Sequence, residues 1–411
     1  MRVLAVTQHY WPEPFNTADM CEGLASRGHE VTVLTGLPNY PEGEIYSGYG
    51  GGSNRRQERN GVRIVRSWLV PRKRGVAARV ANYYSFSKAA SRLARKLPGD
   101  FDVVVAFQTS PVMMADPAIA YAHHVGAPLL HYVIDIWPEC LLSGGVSKDS
   151  AVYRMFARVS RRIYGEADRL AVTSPLFIDY LSDLLGKPVD AVRLPQYAED
   201  IFSSMPDKRP EGYDPAKINL TFAGNVGAAQ SVKTIVEAAA LLKDDPAFAF
   251  HIVGSGSELD ACIELAGELD ASNIVFHGRH PIDEMPAYYA ASDAMLATFS
   301  ASPILGYTLP RKVQSYLAAG KPVLGTLVGE AARVMDEAGC GLRCDAENAA
   351  GLAAICREFA GLPEGARQAF GAAGRAYYEE HFTKQKFLDT LEGELRKLKG
   401  TRHTDHARSQ G

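Results

Sequence analysis

The chain has 411 residues, 46% of them hydrophobic and 22% charged, with a formal net charge of −3. That is too long for one ordinary core and suits two domains of roughly 200 residues. The composition is that of a globular protein in water, and no run approaches the ~18 apolar residues of a membrane-spanning helix. The six cysteines (Cys21, Cys140, Cys262, Cys340, Cys344 and Cys356) are scattered, which argues against a disulfide framework and fits a reducing cytoplasm. Cys340 and Cys344 are spaced loosely like metal ligands, but no second pair answers them, so no metal is expected.

The opening "MRVLAVTQHYW" reads as a strand. Its apolar run is too short for a signal peptide, and no small-residue cleavage site follows. Further strands in the first half are "VTVLT" (31–35), "VRIVRSW" (62–68), "DVVVAF" (102–107), "LLHYVI" (129–134) and "RLAVT" (169–173), with amphipathic stretches at 17–27, 76–97, 111–124 and 151–164. Near-continuous apolar strands separated by helices imply a parallel sheet covered on both faces, the doubly wound α/β layout. The segment 203–217 is polar, carries three prolines and reads as a linker. The pattern then restarts with "INLTFAG" (218–224), "FAFHIVG" (248–254), "NIVFHG" (273–278), "DAMLATF" (293–299) and "KPVLGT" (321–326). The expected organisation is a domain over 1–203, a second over 204–382, an amphipathic helix over 383–399 that crosses back to the first domain, and a polar, disordered tail over 400–411. Two Rossmann-like sheets facing each other leave a cleft at the carboxyl ends of their strands, where ligands bind in open α/β sheets.

Residues that follow strands are therefore the informative ones. In "FAGNVGAAQS" (222–231), Gly224 and Gly227 let backbone amides approach a ligand at a helix start, with Asn225 and Gln230 beside them; the same pattern also serves as a plain tight turn. "VGSGSE" (253–258) repeats the device with Gly254, and "HGRHP" (277–281) offers Arg279, a fork donor suited to phosphate, and His280. In "LPRKVQSYLAAGKPV" (309–323), Arg311 and Lys312 stand in a first helical turn, where the helix dipole already supplies positive charge. Two cations there point to an anion in front of the helix. Glu330 begins the next helix and either caps it or accepts hydrogen bonds from ligand hydroxyls. Glycine turns, cations and an acid suit a diphosphate joined to a ribose. At an effective dielectric of ~20, one cation 4 Å from a phosphate charge contributes about 4 kcal/mol before desolvation, against about 1 kcal/mol from a helix end, so Lys312 should dominate.

In the first half, the loop "TQHYWPEPFNTA" (7–18) brings His9 and Asn16, "FQTSPV" (107–112) brings Gln108, and "DIWPE" (135–139) brings Asp135 and Glu139. The two acids could bind sugar hydroxyls or orient an acceptor, while Asp135 could equally cap a helix and His9 could be a core residue. From Asn54 to Leu97 there are thirteen cations (Arg55, Arg56, Arg59, Arg63, Arg66, Arg72, Lys73, Arg74, Arg79, Lys88, Arg92, Arg95 and Lys96) against the single acid Glu58. With Val80, Tyr83, Tyr84, Phe86, Leu93 and Leu97 gathered on one side, such a helix can lie on an anionic lipid surface. No nucleic-acid-binding motif accompanies the charge.

These segments together resemble one known family. "GHEVTVLTGLPNYPEG" (28–43), "QTSP" (108–111), "DIWPE" (135–139), "FAGNVGAAQ" (222–230), "GRHP" (278–281), "PRKVQSYLAAGKPV" (310–323) and "GEAARVMDEAGCG" (329–341) are similar, in order, to the bacterial family-4 retaining glycosyltransferases of GT-B fold. They look most like the subgroup that builds O-antigen, capsule and colanic-acid-type polysaccharides, including N-acetylfucosamine transferases. The resemblance implies a nucleotide sugar, usually UDP-linked, on the second domain. It implies a lipid-linked (polyprenyl-diphosphate) saccharide acceptor at the first, on the cytoplasmic face of the membrane, with no cofactor. It also implies that Lys312, Arg279 and the Gly224–Gly227 amides stabilise the leaving diphosphate, that the donor phosphate takes the acceptor proton, and that Asp135 and Glu139 orient hydroxyls. The sequence departs from the wider family in several places. Asn225 and Gln230 stand where many members carry Arg and Lys, Tyr307 and Ser315 where many carry two glutamates, and Ile134 where a histidine is common. Glu330 is then the candidate for the ribose. Two rival readings are a GT-B nucleotide-sugar 2-epimerase and a non-catalytic sugar-nucleotide-binding subunit.

Overall fold

A computed structural model describes residues 1–409 except 74 and 303–304; the side chains of 143–144 and 401–409 are outside the description. The chain divides into two units, Met1–Leu194 with Leu388–Gly411, and Pro195–Phe387.

The first unit follows from its apolar runs. Its elements are β1 (Arg2–Val6), α1 (Thr17–Ser26), β2 (Glu30–Gly36), β3 (Arg56–Arg59), β4 (Val62–Ser67), α2 (Val76–Ala94), β5 (Val103–Gln108), α3 (Asp116–Val125), β6 (Leu129–Val133), α4 (Ala151–Gly165), β7 (Arg169–Val172), α5 (Leu176–Leu185) and β8 (Ala191–Arg193). They form one sheet in the order β3-β4-β2-β1-β5-β6-β7-β8. Every pairing is parallel except β3 with β4. All residues of β5 and β6 are buried, which is why these strands are apolar without alternation. Strand order reverses between β1 and β5, so that boundary is the topological switch point of the unit. The antiparallel edge β3 reads Arg-Gln-Glu-Arg. It gives no apolar run, and its charges protect an exposed sheet edge.

The second unit comprises β9 (Ile218–Ala223), α6 (Val232–Ala240), β10 (Phe248–Val253), α7 (Leu259–Glu268), β11 (Ile274–Gly278), α8 (Met285–Ala290), β12 (Ala294–Thr298), α9 (Arg311–Ala318), β13 (Val323–Thr326), α10 (Gly329–Ala338), β14 (Gly341–Cys344), α11 (Ala349–Gly361) and α12 (Glu364–His381). Its sheet is wholly parallel, in the order β11-β10-β9-β12-β13-β14, with the switch between β9 and β12. One face packs through Phe222, Ile235, Phe250 and Leu352, the other through Tyr289, Val313, Tyr316 and Val334.

Several expectations need adjustment. The unit boundary falls at Leu194 rather than at 203. The polar segment 203–217 belongs to the second unit, because Phe202 and Tyr213 are buried in its core and Tyr213 stacks on His251 at 3.7 Å. The stretch from 400 is not disordered through 409, since α13 runs Lys384–Ser409. Propagating a helix that is already anchored costs little even for polar residues. Arg66 is no part of a basic surface: it is 2% exposed and donates to the carbonyls of Trp11 and Gly36. Arg74 lies outside the described residues.

From Leu388 onward α13 packs on the first unit. Leu391 and Leu395 are fully buried, and a Cβ on Gly23 would lie 2.7 Å from Leu388 Cδ1, so a small residue there lets α1 and α13 approach. Arg169 bonds Glu394 at 2.7 Å, Arg27 reaches Asp389 at 2.9 Å, and Lys399 reaches Asp102 at 3.0 Å. The leucines carry the energy, because half-exposed ion pairs contribute little. Leu391→Ala should destabilise the protein by about 2–5 kcal/mol, whereas Lys399→Ala should change stability by less than ~1 kcal/mol; denaturant unfolding of the full chain measures both.

Candidate functional site

In the second unit, the carboxyl ends of β9 and β12 carry the Gly224 turn. Gly224 has φ +140 and Gly254 φ +154, a region side chains avoid. Gly224 N donates to Val253 O at 2.9 Å, and Gly254 N to Gly278 O at 2.7 Å. The turns after β9, β10 and β11 are therefore stitched together in a row. A Cβ on Gly254 would lie 1.8 Å from the Gly224 carbonyl oxygen, inside any allowed contact. The other side of the turn is held by β12, through Thr298 Oγ1 donating to Gln230 O at 2.6 Å and Ser300 N to Ala229 O at 3.1 Å.

Tyr316 sets α9 against this turn. Its hydroxyl accepts from Ala223 N at 3.1 Å and donates to Ala223 O at 3.2 Å. That anchor places Lys312, one helical turn earlier, with its ammonium 3.8 Å from the centroid of the Phe222 ring and 3.3 Å from where a Cβ on Gly224 would be. The stem of Lys312 is half-buried, but the nitrogen is shielded and has no hydrogen-bond partner among the described residues. Desolvation pulls its pKa down to about 7. Nearby polar atoms are also shielded and unpartnered: Gln230 Oε1 on the β9 turn and Thr326 Oγ1 at the end of β13. Buried polar groups are ordinarily paired, so three such atoms at one sheet end mark a place for a polar ligand.

The two cations heading α9 separate in role. Arg311 forms an ion pair with Glu199, so it is neutralised locally and Lys312 alone meets the Gly224 turn. Arg279 is exposed just beyond Gly278. His280 has both ring nitrogens engaged, Nδ1 with Glu284 at 2.9 Å and Nε2 with the Tyr288 hydroxyl at 2.9 Å and His277 O at 3.1 Å. Glu330, 1% exposed, is gripped by Arg333 at 2.6 and 2.8 Å. Asn225 is exposed, and its Nδ2 lies 2.7 Å from where a Cβ on the buried Gly227 would be.

In the first unit, His9 and Asp135 follow β1 and β6, and Gln108 ends β5 between them, at the switch point. Gln108 is fully buried and donates to the Asp135 and Thr109 carbonyls at 2.9 and 2.7 Å. Asp135 accepts from Ser110 Oγ at 3.0 Å, and that hydroxyl accepts from Trp137 Nε1 at 3.0 Å. Burial raises the Asp135 pKa, and the Ser110 hydrogen bonds only partly offset it. Glu139 sits 4% exposed, accepting from the Tyr153 hydroxyl at 2.5 Å, with Lys148 at 3.6 Å. Its carboxylate is thus occupied by its own unit. His9 is 3% exposed and pairs with Glu13 at 3.1 Å. Asn16 is half-buried at the start of α1 and makes no capping bond with its side chain. Sequence reading passed over Phe222, Tyr316, Ser110 and Glu13. The last stands four residues after His9, a spacing that could have signalled the pair; nothing local marks the others. Among the described residues no group of His, Cys, Asp or Glu could hold a metal.

Residues 16–196 match the Glycosyl transferase 4-like domain and residues 217–360 the Glycosyl transferases group 1 family. The chain is 29% identical over 331 residues to the probable glycosyltransferase WbjE of Pseudomonas aeruginosa, covering 78% of this chain and 80% of that protein. It is 24% identical over 340 residues to the putative colanic acid biosynthesis glycosyl transferase WcaI of Escherichia coli K12, covering 78% and 82%. Its fold matches HepE of Anabaena, solved in complex with UDP and glucose, with a TM-score of 0.69 over 96% of this chain and 99% of that one, at 14% identity. Two parallel-sheet domains of this kind are the GT-B fold. The chain belongs to the GT-B glycosyltransferases, with a glycosyl transferase 4-like domain followed by a group 1 domain.

Gly254→Ala should force the stitched turns apart and cost about 2–3 kcal/mol of stability. Gly267→Ala, in α7 with nothing near its would-be Cβ, should instead stabilise by about 0.5–1 kcal/mol. Chemical denaturation of both variants checks the contrast.

Proposed function

We propose that the protein transfers an N-acetylated hexose or deoxyhexose, with retention at the anomeric carbon, from a UDP-linked donor to a polyprenyl-diphosphate-linked saccharide in surface-polysaccharide biosynthesis. The observation that carries this reading is the shielded, partnerless ammonium of Lys312 facing the Gly224 turn. When the bond between the anomeric carbon and the diphosphate breaks, negative charge grows on the leaving group. A fixed cation in a dry site stabilises that charge without reorganising. Arg279 offers a second cation, the Asn225 and Gly227 amides offer donors while those of Gly224 and Val226 already donate to Val253 O and Ser255 O, and Glu330, held by Arg333, is the acceptor for ribose hydroxyls. Support for UDP comes from HepE, for polysaccharide synthesis from WcaI, and for the transferase class from WbjE.

The membrane side of this reading rests on the first unit. Trp68 is 54% and Val76 71% exposed, beside the exposed Lys73 and Arg79. Helix α4 adds exposed Val152 and Met155 next to Arg154, Arg158 and Arg161. Trp137 touches both helices, with Tyr83 of α2 at 6.4 Å and Phe156 of α4 at 5.4 Å. Each Lys or Arg near an anionic surface contributes ~1 kcal/mol, and apolar side chains between them add insertion. Among the described residues no helix is long and apolar enough to cross a membrane.

Lys312→Ala should lower transfer by roughly 10²–10³-fold without unfolding the protein; near-normal turnover on lipid-linked acceptors would reject the site. The titration of Lys312 gives a sign. From about 7 up to the usual lysine value, the unfolded chain holds this proton more tightly, so the group's contribution to stability improves as pH rises through that window. A bound anion reverses the shift, so UDP binding at about pH 8 should take up close to one proton and weaken as pH rises. Calorimetry in buffers of different ionisation enthalpy measures the uptake, which Lys312→Met should abolish. For the membrane reading, Lys73→Glu with Arg79→Glu should reduce co-sedimentation with phosphatidylglycerol vesicles at least tenfold, and unchanged binding would end it.

A further inference from the structure

The amino ends of the second sheet border a cavity of about 450 Å³ that the donor reading does not use. Its lining belongs wholly to the second unit: Asn219 near the start of β9, Asp293 just before β12, Lys321 just before β13, Glu364 and Arg367 at the start of α12, and Arg209. The Gly224 turn stands at the opposite end of β9, five residues and roughly 17 Å beyond Asn219. Open α/β sheets hold their ligands at the carboxyl ends, so a cavity at the amino ends calls for its own account.

Three cations line it, Arg209, Lys321 and Arg367, and none forms an ion pair among the described residues. Lys321 has a structural role: its ammonium donates to Ala290 O at 2.9 Å and Ser292 O at 2.8 Å, closing the end of α8. Arg367 has no such role. Its guanidinium lies 5.8 Å from the centroid of the Phe359 ring, and Nε and Nη1 are shielded with no hydrogen-bond partner among the described residues. A charge deprived of part of its water and given no counter-ion is costly, yet packing holds it there. A Cβ on Gly371, one turn later in α12, would lie 2.1 Å from Gly320 O, so α12 rests directly on the turn that leads to Lys321. The start of this 18-residue helix adds its positive dipole end. Two acids share the cavity. Asp293 Oδ2 accepts from Asn219 N at 2.8 Å and Glu364 Oε1 from Gln368 Nε2 at 2.8 Å, and the second oxygen of each has no hydrogen bond among the described residues.

We propose that this cavity binds a phosphate monoester of a hydroxylated compound, a sugar or polyol phosphate, at a site separate from the donor turn. Arg367 and Lys321 hold the phosphate, Arg209 adds its charge from the exposed rim, and the second oxygens of Asp293 and Glu364 accept from hydroxyls. A bare anion would meet two carboxylates and offer them no donor. A neutral sugar would leave Arg367 without a counter-ion. The ester satisfies both halves of the lining, and a volume of this size suits one such molecule. The inference stands independently of the transferase reading, because it shares no residue with the Lys312 site.

Calorimetric titration of the full-length protein with ribose 5-phosphate, inorganic phosphate and ribose at millimolar concentrations tests it. Ribose 5-phosphate should bind about tenfold more tightly than inorganic phosphate, and ribose should not bind detectably. Arg367→Gln should weaken ribose 5-phosphate roughly 10–100-fold, the loss expected for charge-assisted hydrogen bonds, and should leave UDP affinity unchanged. Lys312→Ala should leave ribose 5-phosphate affinity unchanged. If Arg367→Gln does not fold, the exposed Arg209 carries the test: Arg209→Gln should weaken binding by up to about fivefold, and Arg209→Glu should weaken it further. Failure of the wild type to bind ribose 5-phosphate, equal affinity for inorganic phosphate, or full affinity in Arg367→Gln or in Arg209→Glu overturns the proposal. Binding lost in Lys312→Ala overturns it too, since the ester would then sit at the Gly224 turn.

Discussion

A lysine ammonium removed from water without an anion beside it is costly, and the second unit is organised around that cost. The face of Phe222 returns part of it, since a cation over a desolvated ring is worth up to about 2 kcal/mol. The rest appears as a proton held loosely, near neutrality instead of deep in the basic range. An anion arriving at the Gly224 turn removes the penalty, so charge complementarity is realised only in the occupied state. That is the arrangement a leaving diphosphate requires, because an interaction that strengthens as charge develops lowers the barrier, whereas uniform binding does not.

Holding the ammonium in place depends on contacts that carry no charge. Tyr316 closes two hydrogen bonds on the backbone of Ala223, which fixes α9 against β9. Glycines at 224 and 254 let adjacent turns lie closer than any side chain would permit. Glu199 removes Arg311 from competition, leaving Lys312 as the unpaired cation at the helix start. The first unit uses the same economy with opposite charge: Glu13 gathers amides from Tyr10, Asn39 and Tyr40 and pairs with His9 at 3.1 Å. Each constellation stands at the switch point of its own sheet, where neighbouring strand ends diverge and leave room for a ligand.

Much of the site was readable because strand-end residues are placed by topology. Once "INLTFAG" is a buried parallel strand, Gly224 must follow it at the carboxyl end, and Lys312 must head a helix on the same side. Glu139 and Arg311 were legible as charges, but nothing local showed that both are spoken for. Their partners, Tyr153 and Glu199, are set by packing, and a sequence shows which residues are charged without showing which are already neutralised. The strands β3, β8 and β14 escaped because short edge strands carry polar or mixed residues and so lose the apolar run that marks a central strand.

The sequence by itself determined two parallel α/β sheets, a glycine turn after β9, and a lysine in the first turn of α9 on the same side, because periodicity and residue chemistry are local properties. Tertiary structure decided that Lys312 is shielded and unpaired while Arg311 is not, that Arg66 is buried, and that residues 203–217 complete the second core. Each of these is settled by which side chains meet across long sequence separations, and burial and pairing exist only once the chain has closed on itself.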